Sequence, residues 1–171
     1  KFVNDLTEKL TKKNPMYYKI DNGFTEINNS WYKFDYPRKY FSEYNEFYTY
    51  IFKDYNLPDF LRFSPGANFI APKENILLRS KNFYKNLINF IDYSKLSCES
   101  HFLERSLITI FNSNVQSSDH MDKEITHLQL INLEKKCRFK ISKECRIIRK
   151  IKNFIMIKSH YLLYKILKLL K

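Results

Sequence analysis

Aromatic and aliphatic residues recur along much of this chain at steps of three and four, and each such run predicts a helix that turns one face inward. Tyr44, Phe47, Tyr48, Ile51 and Tyr55 form the first clear stripe, which Ser42 can cap at its start and Leu57-Pro58 ends. Phe83, Leu87, Phe90 and Ile91 predict a second helix over about 82–92, and Phe102, Leu103, Leu107, Ile110 and Phe111 a third over about 97–111. A shorter helix fits about 73–79, and residues 2–13 read as a short polar one.

Two β-like runs, Phe60–Phe63 and residues 68–71, lie between these helices. Ser64-Pro65-Gly66-Ala67 separates them, the composition of a tight turn or bulge between strands. Residues 16–36 read as a Tyr- and Asn-rich loop with one short strand around 17–20, followed by the turn residues Asp21, Asn22 and Gly23. Residues 112–122, rich in Asn, Ser and Asp, read as a linker.

Beyond the linker the pattern is helical again but carries charge. Ile147, Ile148, Ile151, Phe154 and Ile155 fall on one side, with Arg149, Lys150 and Lys152 on another. A second stretch sets Leu162, Leu163, Ile166, Leu167 and Leu170 opposite Lys158, Lys165, Lys168 and Lys171. The expected architecture is therefore a helix-rich, mixed α/β chain with short strands and basic amphipathic helices at its C-terminal end. It divides into a body over 1–112, a linker over 113–133 and a basic tail over 134–171.

Charge sharpens this division. The net +12 is almost all in the tail, where 13 Lys and Arg face 2 Asp and Glu, while residues 1–133 carry 17 against 16. An apolar stripe beside a basic face is the pattern of a helix lying in a membrane interface, drawn to anionic lipid by about 1 kcal/mol per nearby Lys or Arg. The alternative is a helix that packs its stripe on the body and leaves its lysines in water. A nucleic-acid partner is set aside: the charge would attract phosphates, but no nucleic-acid motif accompanies it and the surface is given to Leu and Ile.

A chain of 171 residues suits one domain able to bury roughly 70% of its unfolded surface. Cys98, Cys137 and Cys145 are odd in number and lack the spacing of a disulfide framework or a zinc site, which points to a reducing compartment. No apolar run opens the chain and none is long enough to span a bilayer, so the expected location is cytoplasmic, peripheral to the inner face of a membrane. The first residue is Lys rather than Met, which fits a fragment or a processed form.

Candidate chemistry concentrates between Phe63 and Phe111. Phe63-Ser64-Pro65-Gly66-Ala67-Asn68-Phe69-Ile70-Ala71 is followed by Lys73-Glu74-Asn75-Ile76, Arg79, Phe83-Tyr84, Leu103-Glu104-Arg105 and Ile110-Phe111. This ordered set resembles a glycosyltransferase-like domain family of unknown function in bacteria and fungi, related in pattern to type-A nucleotide-sugar transferases. Two positions depart from the family pattern: Pro72 replaces a small polar residue, and Leu107 lies where a bulky Trp is frequent.

The resemblance implies a partial type-A fold and a transferase, used in surface polysaccharide or glycan assembly, with a nucleotide sugar and a glycan acceptor as partners. It implies Glu104 as catalytic base, with Gly66, Ala67, Asn68, Arg79, Tyr84 and Arg105 on the substrate. The residue types suit these roles. Gly66 lacks a Cβ, so its backbone can take φ > 0 and approach a flat sugar face. Glu104 shares a helix face with His101, three residues away, and a carboxylate at a cleft can accept a hydroxyl proton. Arg79 or Arg105 can pair with it or with phosphate. The competing readings are a plain turn at Gly66 and a structural ion pair at Glu104-Arg105.

Type-A transferases hold a divalent metal, Mn or Mg, through an Asp-x-Asp that is not present in these residues. Whether the chain is an enzyme is therefore left open, and a non-catalytic membrane-associated or partner-binding module is the alternative. Asp119-His120-Met121-Asp122 with His127 has metal-ligand residue types, but in a polar segment it reads as a solvated loop, and no metal site is assigned.

Overall fold

The computed structural model describes residues 18–19, 24–28, 36–53, 57, 59–111 and 114–169. The expected helix over 2–13 and Tyr55 lie outside them. Among the described residues the chain is mixed α/β and helix-rich, with short antiparallel strands.

Within the described residues helices occupy the predicted positions, and the two basic C-terminal stretches form a single helix. Helix α1 is Tyr44–Ile51, α2 Lys73–Ile76, α3 Lys81–Ile91, α4 Cys98–Ile110 and α5 His127–Leu169. Tyr44, Phe47, Tyr48 and Ile51 all point inward from α1, as one face at helical spacing must. They meet Phe83 and Phe90 of α3 and Phe102 of α4 in a core built from aromatic edges, such as Phe41 against Phe90 at 5.1 Å and 88°. Ser80 and Ser97 cap α3 and α4, accepting the N–H groups of Phe83 at 3.1 Å and Ser100 at 3.0 Å. At α1 the expected cap differs. Glu43 holds the N-cap position, and Ser42 donates its N–H and hydroxyl to Glu46 in the first turn.

Strand β1 is Tyr18–Lys19, β2 Phe24–Ile27, β3 Phe60–Phe63 and β4 Phe69–Ile70. β3 and β4 are the two runs expected on either side of the Ser64–Ala67 turn, and they do not pair with each other. Instead β3 pairs with β2 and β4 with β1, giving two separate two-stranded ribbons. The 3₁₀ turn Pro65–Ala67, with Gly66 at φ +69°, redirects the chain from one ribbon to the other. β2 falls in the segment read as loop.

Glu99 is fully buried at the first turn of α4 and anchors the chain ahead of α1. One of its oxygens accepts the N–H groups of Lys39, Tyr40 and Phe41 at 2.9, 2.7 and 3.2 Å, and the other accepts the Tyr93 hydroxyl. Burial, then Glu99, pushes the Tyr93 phenol far above its ordinary value.

The segment read as a linker is bound into the body. Ser117 bridges to Phe52, Met121 is buried, and buried Asn86 donates to the carbonyls of Met121 and Lys123 while accepting the Ile125 N–H. Helix α5 follows as one 43-residue element, about 65 Å long. Its first half lies on the body through Leu130, Leu133 and Cys137, with Lys140 paired to Glu46 and Arg38 to Glu144. Among the described residues no helix is long and apolar enough to cross a membrane.

Candidate functional site

The site begins at the β2–β3 ribbon, whose register sets Phe24 opposite Phe63 and Glu26 opposite Leu61. Past Phe63 the chain buries Ser64 and enters the Pro65–Ala67 turn. Asn68 closes this turn by donating its side-chain amide to the Pro65 carbonyl at 3.1 Å. Gly66 sits in the left-handed region, which disfavours a side chain, although a Cβ there would meet only Asn68 at 3.7 Å. The turn's handedness requires the glycine. The consequence is an N–H aimed at α4.

That N–H donates to Glu104 Oε1 at 2.9 Å. The other oxygen of Glu104 faces the Arg105 guanidinium at 3.3 Å, and the side chain stays a quarter exposed. Arg105 is itself nearly buried, stacked over the Phe63 ring at 4.1 Å and held by both oxygens of Glu26. A planar guanidinium on a carboxylate in this two-pronged way fixes both groups in orientation. Glu26, Arg105, Glu104 and Gly66 thus form one chain of contacts from ribbon to helix to turn. The ion pairs of Arg105 run to Glu104 on its own helix and to Glu26 on β2, and the Glu104 carboxylate lines an opening.

The opening is a cleft of about 370 Å³ lined by Gly66, Ile91, Leu96, Ser100, His101, Leu103, Glu104 and Leu107. Its walls are mostly apolar, with Ser100, His101 and Glu104 as the polar side chains on the α4 side. His101 packs its ring on Tyr36 at 4.5 Å. Burial, then the positive charge of Arg105, lowers its pKa below the usual 6.5, so near neutral pH the ring is uncharged. The cleft can receive a ring-sized molecule on an apolar wall, with a carboxylate and a neutral imidazole at its edge.

Of the residues expected at a site, the structure brings together Gly66, Asn68, Glu104 and Arg105, with Ala67 the next position of the same turn. Arg79 and Tyr84 belong to another place. The Arg79 guanidinium lies between the rings of Phe52 and Phe83 and donates to the carbonyls of Thr109, Ile110 and Val115, closing the C-terminal end of α4. Tyr84 donates its hydroxyl to the Ile76 carbonyl at 2.8 Å. The Arg79 contact at Ile110 stands about 9 Å further along α4 than Glu104, as six residues of helix require.

Glu26 was missed, because its strand carries no clear alternation and its partner is 79 residues away. His101 was seen only as a neighbour of Glu104.

Among the described residues no group of three His, Cys, Asp or Glu side chains converges, and Glu104 faces Arg105 and a backbone N–H. His120 packs on Tyr50 at 4.3 Å, in the 3₁₀ turn Asp119–Asp122. Comparison of the chain with family models, with curated proteins and with solved structures gives no match.

Proposed function

We propose that the cleft between the Pro65–Ala67 turn and α4 is the acceptor side of a glycosyl-transfer site, with Glu104 as general base. One observation carries the reading: the Gly66 N–H and the Glu104 carboxylate, 38 residues apart in the chain, meet at the rim of one open cleft. Both lie in the motif set that resembles glycosyltransferase-like domains, and their chemistry suits close backbone approach and proton abstraction.

A carboxylate has about four acceptor positions, so Glu104 retains lone pairs for an acceptor hydroxyl beside the contacts it makes to Gly66 and Arg105. In the proposed step Glu104 takes the hydroxyl proton as the acceptor oxygen bonds to the anomeric carbon of a nucleotide sugar. The bond from that carbon to the diphosphate breaks, and its electron pair leaves with the nucleotide. Apolar Leu96, Leu103 and Leu107 suit the carbon face of a sugar ring. The Asp-x-Asp that would hold a donor and its metal is not among these residues, so the proposal concerns the acceptor side alone.

Calorimetry with oligosaccharide acceptors and with nucleotide sugars plus Mn²⁺ tests the reading. Acceptor binding is expected, retained by Glu104→Gln and weakened at least about tenfold by Leu96→Trp, which narrows the cleft from an exposed position. No heat with any common acceptor or donor contradicts it.

A further inference from the structure

We infer that the part of α5 beyond the body, residues 145–158 and the sequence continuing from it, docks on an anionic membrane surface. Along the first half of the helix one face is covered: Leu130, Leu133 and Cys137 pack on the core, and Lys140 and Glu144 reach Glu46 and Arg38. The same steps of three and four carry that face on to Ile147, Ile148, Ile151, Phe154 and Ile155. There the body has ended, and these five side chains are 46% to 60% exposed. The stripe therefore continues past its covering.

Charge decides what covers it. From Cys145 to the end there are eight Lys and Arg and no Asp or Glu. At 100° per residue Arg146 and Lys150 border one edge of the stripe and Lys152 the other. A second copy of the helix would bring these cations against each other along both seams. A nucleic acid would satisfy the cations but leave the five apolar side chains in water. An interface with an apolar interior and an anionic rim satisfies both faces. Lys158, which the spacing places within the stripe, folds its ammonium over the Phe154 ring at 4.6 Å, so its stem adds apolar cover and its charge sits at the margin.

Flotation of the full chain with vesicles tests this, comparing phosphatidylcholine alone with a mixture containing roughly one third phosphatidylserine. Binding to the anionic vesicles is expected, weak on the neutral ones and reduced by salt at about 0.5 M. Ile151→Glu with Phe154→Glu should cut it at least about tenfold. Arg149→Gln, Lys150→Gln and Lys152→Gln together should cut it about a hundredfold, at roughly fivefold per cation.

An unchanged thermal midpoint confirms that the body of each variant is folded, and acceptor binding at Glu104 should not move. The inference is overturned if the full chain does not bind anionic vesicles, or if both variants float as it does. Sedimentation showing a dimer that the Ile151 and Phe154 changes break, without vesicle binding, would assign the face to a second copy. Salt-sensitive RNA binding without flotation would assign it to nucleic acid.

Discussion

Gly66 and Glu104 are joined by a 2.9 Å hydrogen bond from a left-handed turn to the middle of α4, on the rim of the apolar cleft. Two conditions hold this contact. The turn must have its handedness, and Arg105 must keep Glu104 in place while anchored on Glu26.

The first condition predicts a graded response at Gly66. Gly66→Ala should cost about 1 to 2 kcal/mol, since an L-residue is strained at this φ while space for the methyl group is open. Gly66→Asn should cost less than half as much, because Asn tolerates the left-handed region. Urea denaturation measures both; equal costs would place the strain in packing rather than in φ.

The second condition predicts a large effect at Glu26. Removing one partner of a nearly buried ion pair strands the other, so Glu26→Ala should destabilise the chain by about 3 kcal/mol. A loss below about 0.5 kcal/mol would class the pair with exposed surface bridges. Equilibrium unfolding separates these values.

Acid should weaken the fold in a defined window. Burial lowers the pKa values of His101 and His120 below 6.5, with Arg105 adding to the effect at His101. As pH falls through 6.5 the unfolded imidazoles take up protons that the folded ones refuse, so stability present above 6.5 is progressively lost below it. Urea midpoints between about pH 7.5 and 5.5 should decline, and the decline should flatten in a His101→Gln, His120→Gln double variant. A midpoint independent of pH over this range contradicts the burial of both rings.

The three thiols should differ sharply. Cys98 and Cys137 are buried, and burial, with Glu99 adding to it, pushes the Cys137 thiol up to about 12. Cys145 is exposed. A chromogenic disulfide reagent should therefore titrate one thiol quickly in the native protein and the other two only on unfolding. Fast reaction of a second thiol, assigned to Cys137 by mass spectrometry, would mean that α5 leaves the body.

Much of the helical framework was legible because aromatic stripes at helical spacing admit few alternatives. Phe47, Phe90 and Phe102 had to turn inward, and Ser80 and Ser97 stand where capping chemistry requires. The ribbons were harder to see. β2 is mostly exposed and alternates weakly, and the pairing of β3 with β2 depends on contacts distant in sequence. Polar composition misled at residues 114–126, where one buried side chain, Asn86, supplies the hydrogen bonds that hold a loop-like segment to the body.

At the cleft, the two groups contributed by neighbouring motifs were visible, whereas Glu26 was not. Arg79 shows the limit of residue type alone: a cation suited to phosphate is placed by the fold on three carbonyls. The stripe of α5 is continuous in sequence, so where its covering ends is a property of the body's size rather than of the helix.

Because the chain has only two glycines, Gly23 and Gly66, selective ¹⁵N-glycine labelling yields a spectrum of two amide signals. The signal displaced by Glu104→Gln identifies Gly66, whose N–H then faces an amide instead of a carboxylate. Titration with an oligosaccharide acceptor should shift that signal and leave the other in place. If Glu104→Gln moves neither signal and no acceptor does, the turn and the carboxylate do not share a ligand cleft, and the transferase reading fails.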